Sequence, residues 1–174
     1  MSSAAQRYLV GLGSNMRHRR HGAPAAVLRA ALRTLDGGDV AVVAAAGPAP
    51  SRPLGPSRRQ YANGAALIET RLDPADMLMR LQAIERAFGR RRRGRRWGAR
   101  VLDLDLILWS GGRWRSPGLT VPHPQFRRRA FVLVPAALVA PYWRDPLTGL
   151  ALAQLAARLT RPRPHPTARS RVGP

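Results

Sequence analysis

Hydrophobic and polar positions along the chain change period several times, and each change marks an element. Residues 7–13 form an apolar run that predicts a first strand, closed by Gly13-Ser14-Asn15. Pro24 stands where a helix starts, and residues 25–35 carry apolar positions at helical spacing until Gly37-Gly38 stops them. A second strand follows over 40–46, then a loop over 47–60 crowded with proline and glycine, then a third strand over 61–70. Residues 74–88 give the clearest helix, capped by Asp73 and buried along Met77, Leu78, Leu81, Ile84 and Phe88. After a run of arginines, leucine and aspartate alternate through Leu102-Asp103-Leu104-Asp105-Leu106, the period-two signature of a strand with one face inside. Gly111-Gly112 makes a turn, 113–121 a short hairpin arm, 126–139 a helical stretch broken at Pro135, and 147–159 a last helix.

The order strand, helix, strand, strand, helix, strand is the split βαβ pattern. It predicts an α+β fold with a ferredoxin-like βαββαβ core: an antiparallel sheet, helices packed on one face, and extra C-terminal elements. Residues 1–160 are expected to form one domain. Residues 161–174, rich in arginine and proline, are expected to be a disordered tail.

Composition narrows the chemistry. The chain has 174 residues, 45% of them hydrophobic, enough for one real core. It has no cysteine, which excludes disulfides and thiolate metal sites. No apolar run near the start is long enough for a signal peptide or a membrane span, so a cytoplasmic protein is expected. The net charge of +21 comes from 30 basic and 9 acidic residues, and every basic residue is arginine. Any cation that binds phosphate here is therefore a guanidinium, which binds bidentately and does not titrate near neutrality. Such a surface also attracts polyanions at low salt.

Asp103 and Asp105 point to one face of their strand, beside a loop with arginines at 90, 91, 92, 93, 95, 96 and 100. Two carboxylates so close repel each other, and a divalent cation relieves the repulsion. Oxygen ligands on a rigid strand suit magnesium, which completes its shell with substrate phosphates. Carboxylates for metal beside guanidiniums for phosphate is a phosphoryl-transfer layout. Arg100 is the first candidate for phosphate, followed by Arg90 and Arg92. The competing readings are a polar strand face and a solvated charge run. Glu85, on the flank of the helix stripe, reads either as functional or as an exposed helix carboxylate. His123, held between Pro122 and Pro124, suits a hydrogen bond to phosphate, with a lone surface histidine as the alternative. Tyr61 and Asn63 share a strand face, where a ring and an amide can stack on and hydrogen-bond a flat heterocycle; core packing is the rival. Gly11 to Asn15 is glycine-rich but matches neither main nucleotide-binding motif.

Taken together, these motifs resemble the hydroxymethyl-dihydropterin pyrophosphokinase family of folate biosynthesis. R-W-G-A-R-V-L-D-L-D-L-I-L over 96–108 carries the resemblance most strongly. V-G-L-G-S-N at 10–15, P-L-G-P at 53–56, Y-A-N-G-A at 61–65 and L-Q-A-I-E-R at 81–86 support it, as do L-T-V-P-H-P at 119–124 and R-A-F-V-L-V-P at 129–135. The chain departs from the family pattern at Ala99, where proline is usual, and in the A-P-S-R stretch before Pro53. The resemblance implies transfer of diphosphate from ATP, the co-substrate, to the hydroxymethyl group of a reduced pterin, with release of AMP. It implies two Mg2+ ions on Asp103 and Asp105, and catalytic arginines Arg90, Arg92 and Arg100 on a mobile loop. It places Gln82, Glu85, Thr120, His123 and Arg129 toward ATP. It places Ser51, Leu54, Tyr61, Asn63, Trp97 and Phe131 toward the pterin, whose ring would lie between Tyr61 and Phe131.

A monomer acting on these two small molecules is expected, with no membrane partner and with nucleic acid met only through non-specific electrostatics. A basic ferredoxin-like module that binds nucleic acid is the reading from another class. Against it, the acidic pair would face the same polyanion, and paired aromatics of the RNP kind are missing. A paralogue using a different pterin or alcohol is the narrower rival.

Overall fold

The computed structural model describes residues 4–51, 61–89 and 100–162. Its core runs β1 (Gln6–Ser14), α1 (Pro24–Leu35), β2 (Val40–Ser51), β3 (Tyr61–Thr70), α2 (Pro74–Ala87), β4 (Asp103–Trp109). The four strands form one sheet in the order β2-β3-β1-β4, with every neighbouring pair antiparallel. β1 lies inside the sheet, and its continuous apolar run fits burial on both faces: Tyr8, Leu9 and Val10 are wholly buried. β4 is an edge strand.

α1 and α2 cover one face. Val27, Leu28 and Leu35 of α1 and Met77, Leu81 and Ile84 of α2 pack with Tyr8, Val10, Ile68, Leu104 and Leu106. α2 starts where its cap predicts: the Asp73 carboxylate accepts from the backbone N–H of Ala75 and Asp76, at 2.8 and 2.9 Å. The other face is not left open, as helices on one side alone would leave it. α3 (Ala130–Val139) and α4 (Leu152–Thr160) cover part of it through Leu133, Ala136, Leu152 and Leu155, packed on Leu9, Ala65, Ile107 and Leu108.

Three boundaries differ from the sequence pattern. β2 runs on to Ser51, pairing Ala49 with Asn63 and Ser51 with Tyr61. The glycine and proline that read as a loop start sit in an irregularity between Ala46 and Ala49, where Gly47 takes a positive φ of 97°. Pro135 lies inside α3 rather than breaking it, and it is buried there. The last helix begins at Leu152, since residues 145–151 form a turn around Asp145. The hairpin arm is present as β5 (Trp114–Ser116) and β6 (Leu119–Val121). Gly118, at φ 78°, occupies the turn position that requires a glycine-like backbone. The tail from residue 163, and most of the 47–60 loop, lie outside the described residues. Among the described residues no helix is long and apolar enough to cross a membrane.

Asp145 is wholly buried and is the hub of the C-terminal turn. It accepts from Arg127 Nε at 2.7 Å and Nη2 at 2.5 Å, from the Thr148 hydroxyl at 2.6 Å and from Leu147 N–H at 3.2 Å. Burial pushes its pKa up, but the hydrogen bonds from Arg127, Thr148 and Leu147 outweigh burial and hold it below the ordinary value. A depressed carboxylate pKa gives stability that is present above the unfolded value and is lost as pH falls through the folded one. Asp145→Ala should lower unfolding free energy by about 3 kcal/mol, since it strips a buried pair of one partner. Urea unfolding at pH 7 measures this, and the deficit relative to wild type should shrink as the pH is lowered into the acid range.

Candidate active site

The acidic pair is set by strand register. Across β1, Asp103 lies opposite Gly13 and Asp105 opposite Gly11; across the next pairing, Gly13 lies opposite Asn63 and Gly11 opposite Ala65. Paired residues share a face, so Asp103, Asp105 and Asn63 stand beside two glycines of β1. The Ile107 side chain covers Gly11, where a Cβ would meet it at 3.2 Å, and the bare position is Gly13. A Cβ on Gly13 would lie 3.6 Å from Asn63 Oδ1 and 4.0 Å from Asp103 Cβ. Leu9, further along the same face of β1, is packed in the cluster that α3 and α4 cover. One end of this face is therefore filled, as far as Ile107 over Gly11, and the other is a bare floor at Gly13 flanked by Asp103 and Asn63, with Asp105 at its border.

Arg100 sits at the edge of that floor. Its Nη1 donates to both Asp103 oxygens, at 2.9 and 2.8 Å. Its backbone is clamped by Asn15: Arg100 N–H donates to Asn15 Oδ1 at 2.7 Å, and Asn15 N–H donates to the Arg100 carbonyl at 3.1 Å. The clamp fixes where the arginine loop re-enters the fold. Sequence reasoning missed Asn15; its position closing the Gly-Leu-Gly-Ser-Asn strand end was the available signal.

Asp105 also belongs to a second space. A cavity of about 740 Å³ lies along the outer edge of β4, lined by Asp105, Leu78, Leu106, Arg115, Thr120 and His123 among others. His123 is fixed by its backbone N–H, which donates to the Ile107 carbonyl at 3.0 Å. Its Nδ1 accepts from Gln125 N–H at 3.1 Å, which leaves Nε2 to carry the proton of the neutral ring. Burial pushes the His123 pKa below the ordinary imidazole value. Arg129 adds to that shift, and Asp105 and Asp103 oppose it without reversing it.

Glu85 is not the exposed helix carboxylate that its flank position allowed. It is buried, and its Oε1 accepts from Leu104 N–H at 2.8 Å, tying α2 to β4 between the two aspartates. Gln82 lies one turn earlier on α2, half-buried. It is not among the cavity's lining residues.

Tyr61 stands at the start of β3 and shares its face with Asn63; Ser51 lies directly across from it on β2. Phe131 is in the first turn of α3, half-buried, with the Arg129 guanidinium 6.0 Å from its ring centroid. Leu54, Arg90, Arg92 and Trp97 lie outside the described residues. The structure thus brings Tyr61, Asn63, Asp103, Asp105 and Arg100 to one bare half-face. It brings Thr120 and His123 to the adjoining cavity, with Asp105 common to both. Among the described residues no three His, Cys, Asp or Glu side chains gather as a metal cluster. Two half-buried carboxylates with open space beside them suit magnesium, which takes one or two carboxylates and completes its shell with water and phosphate.

Comparison with known proteins agrees with this geometry. A family model described as 7,8-dihydro-6-hydroxymethylpterin-pyrophosphokinase matches residues 9–141. The chain is 46% identical over 105 residues to the 2-amino-4-hydroxy-6-hydroxymethyldihydropteridine pyrophosphokinase of Synechocystis sp., a match covering 60% of this chain and 53% of that protein. It is 42% identical over 143 residues to the Pseudomonas aeruginosa protein of the same name, covering 81% of this chain and 85% of that one. Among solved structures it is similar to Plasmodium falciparum HPPK-DHPS, with a TM-score of 0.66 at 10% identity, over 89% of this chain and 43% of that chain. That last likeness is one of fold.

The Glu85 contact is open to test. Glu85→Gln keeps an acceptor for Leu104 N–H and should leave unfolding free energy within about 1 kcal/mol of wild type. Glu85→Ala leaves that buried donor without its side-chain acceptor and should cost about 1–3 kcal/mol, read by urea unfolding.

Proposed function

The chain belongs to the 7,8-dihydro-6-hydroxymethylpterin-pyrophosphokinase family, and we propose that it transfers diphosphate from ATP to the hydroxymethyl group of 6-hydroxymethyl-7,8-dihydropterin in folate biosynthesis. The observation that carries this reading is the sharing of Asp105 between the bare half-face and the edge cavity. Two substrates lodged in the two spaces meet at the acidic pair.

In the reaction the pterin alcohol oxygen bonds to the central phosphorus of ATP. The bond from that phosphorus to the bridging oxygen of the α-phosphate breaks, AMP leaves with the electron pair, and the alcohol proton passes to solvent. Little covalent work falls to the protein, so positioning and charge carry the rate. Asp103 and Asp105 would hold two Mg2+ ions, which when bound neutralise the phosphates and favour ionisation of the alcohol. Arg100, held beside Asp103 by the Asn15 clamp, is placed to exchange its carboxylate partner for a phosphate oxygen. Arg90 and Arg92 would add guanidiniums from the same loop, and Trp97 would close on the pterin. The pterin would lie between Tyr61 and Phe131, with Asn63 reading its polar edge and Ser51 and Leu54 contributing from the loop side. Thr120, His123, Arg129 and Gln82 would serve ATP. Glu85 would serve it through Leu104, by fixing the strand that carries the aspartates.

The core is read as ferredoxin-like, supported by its element order and antiparallel sheet. Substrates drawn from cytoplasmic metabolism support a cytoplasmic setting, and the two-space site gives no role to a second copy.

Asp105→Ala should abolish AMP formation, because the loss of this ligand removes several kcal/mol of charge stabilisation; wild-type-like AMP release by that variant overturns the assignment. Arg100→Ala should slow turnover about a hundredfold, as loss of a transition-state donor does. Gly13→Val places a β-branched side chain on the floor between Asn63 and Asp103. It should fold, yet lose at least about a hundredfold in kcat/KM through misplaced substrate, measured by steady-state AMP release.

A further inference from the structure

The edge cavity holds a cation that the roles above do not use. Arg115 lies on β5 directly across from Thr120 of β6, so the two side chains leave the hairpin on one face. Both line the cavity, and Arg115 is the one arginine among its described lining residues. Arg115 is exposed, and among the described residues it makes no ion pair. The rest of the lining is mixed. Leu78, Leu106 and Leu119 give it apolar surface beside the outer edge of β4. That edge also carries backbone polarity: the Leu104 N–H points outward to Glu85, and by the two-residue repeat of the strand so does that of Leu106. An apolar slot with a row of backbone groups suits a flat base. Asp105 and His123 are polar. Asp105 is an acid and offers a phosphate no hydrogen bond of its own when ionised, whereas a guanidinium is a permanent cation with donors in a fixed fork.

We propose that Arg115 is a nucleotide-binding residue, its guanidinium contacting a phosphate of the nucleotide from the β5–β6 hairpin. The inference rests on the reading of this cavity as the ATP site. The guanidinium pairs with charge that AMP and ATP share, so it acts on binding of substrate and product alike and adds nothing special in the transition state.

The test uses the full chain with Arg115→Ala and Arg115→Lys, measuring calorimetric affinity for magnesium-ATP, AMP and adenosine, together with steady-state constants. Arg115→Ala should weaken ATP and AMP about tenfold and raise KM for ATP by a similar factor, as expected for one charge-assisted contact. The values of kcat, KM for the pterin and the affinity for adenosine should stay within twofold. Arg115→Lys should recover part of the ATP affinity. Unchanged ATP and AMP affinity overturns the proposal, and so does an equal loss of adenosine affinity, which would mean contact with the base. Thr120→Val and His123→Ala separate the two levels of the argument. If they weaken ATP binding and Arg115→Ala does not, Arg115 is wrong and the cavity reading stands. If none of the three weakens ATP, the cavity reading fails and takes the proposal with it.

Discussion

One sheet face must be filled at one end and empty at the other, and the strand that arranges this is β1. Leu9 is packed into the cluster under α3 and α4, Gly11 makes room for the buried Ile107 side chain, and Gly13, four residues on from Leu9, leaves the same face bare. Gly13 is needed as an absence: it lets Asn63 and Asp103 face each other across bare backbone, where a flat substrate can approach closely. The apolar clusters on both faces keep the sheet rigid up to the edge of that gap. The C-terminal helices therefore do more than stabilise: by stopping partway along the face they define where the floor begins.

Charge is handled by the same economy of contacts. A surface at +21 attracts anions everywhere, so attraction alone cannot locate a reaction. Location comes from the few arginines whose backbone or side chain is held. Arg100 is held by Asn15 and by Asp103. Arg127 is held by the buried Asp145, in the turn that precedes Arg129 and Phe131. Glu85 plays the matching part for the acidic strand, anchoring Leu104 between the two aspartates. Arg127 and Glu85 are thus each tied to a partner 18 or 19 residues away, and the Arg100 backbone to Asn15, while the Arg100 side chain pairs with Asp103 three residues on.

Much of this was legible in the sequence because it depends on local period. The alternation of Leu102 to Leu106 placed the aspartates on one face, Asp73 marked the start of α2, and the order of elements predicted the antiparallel sheet. What was not legible depends on long-range pairing. Gly47 and Pro48 read as a loop, yet β2 continues past them because β3 supplies the partner as far as Ser51. Pro135 read as a helix break, yet it sits buried within α3, five residues after its first residue. Glu85 was named from its motif, but its contact with Leu104 spans 19 residues and no spacing rule reaches it. Asn15 and Asp145 carried no periodic signal at all, since each is defined by a partner elsewhere in the chain.

The central claim is that the two spaces sharing Asp105 bring an alcohol to the middle phosphorus of ATP, so that two phosphates move as one unit. Phosphorus NMR of a reaction containing ATP, magnesium, hydroxymethyl-dihydropterin and the full-length chain tests this directly. The account predicts AMP and a pterin diphosphate ester appearing in equal amounts, with no ADP. Formation of ADP with a pterin monophosphate, or no AMP above background from folded protein, would contradict it.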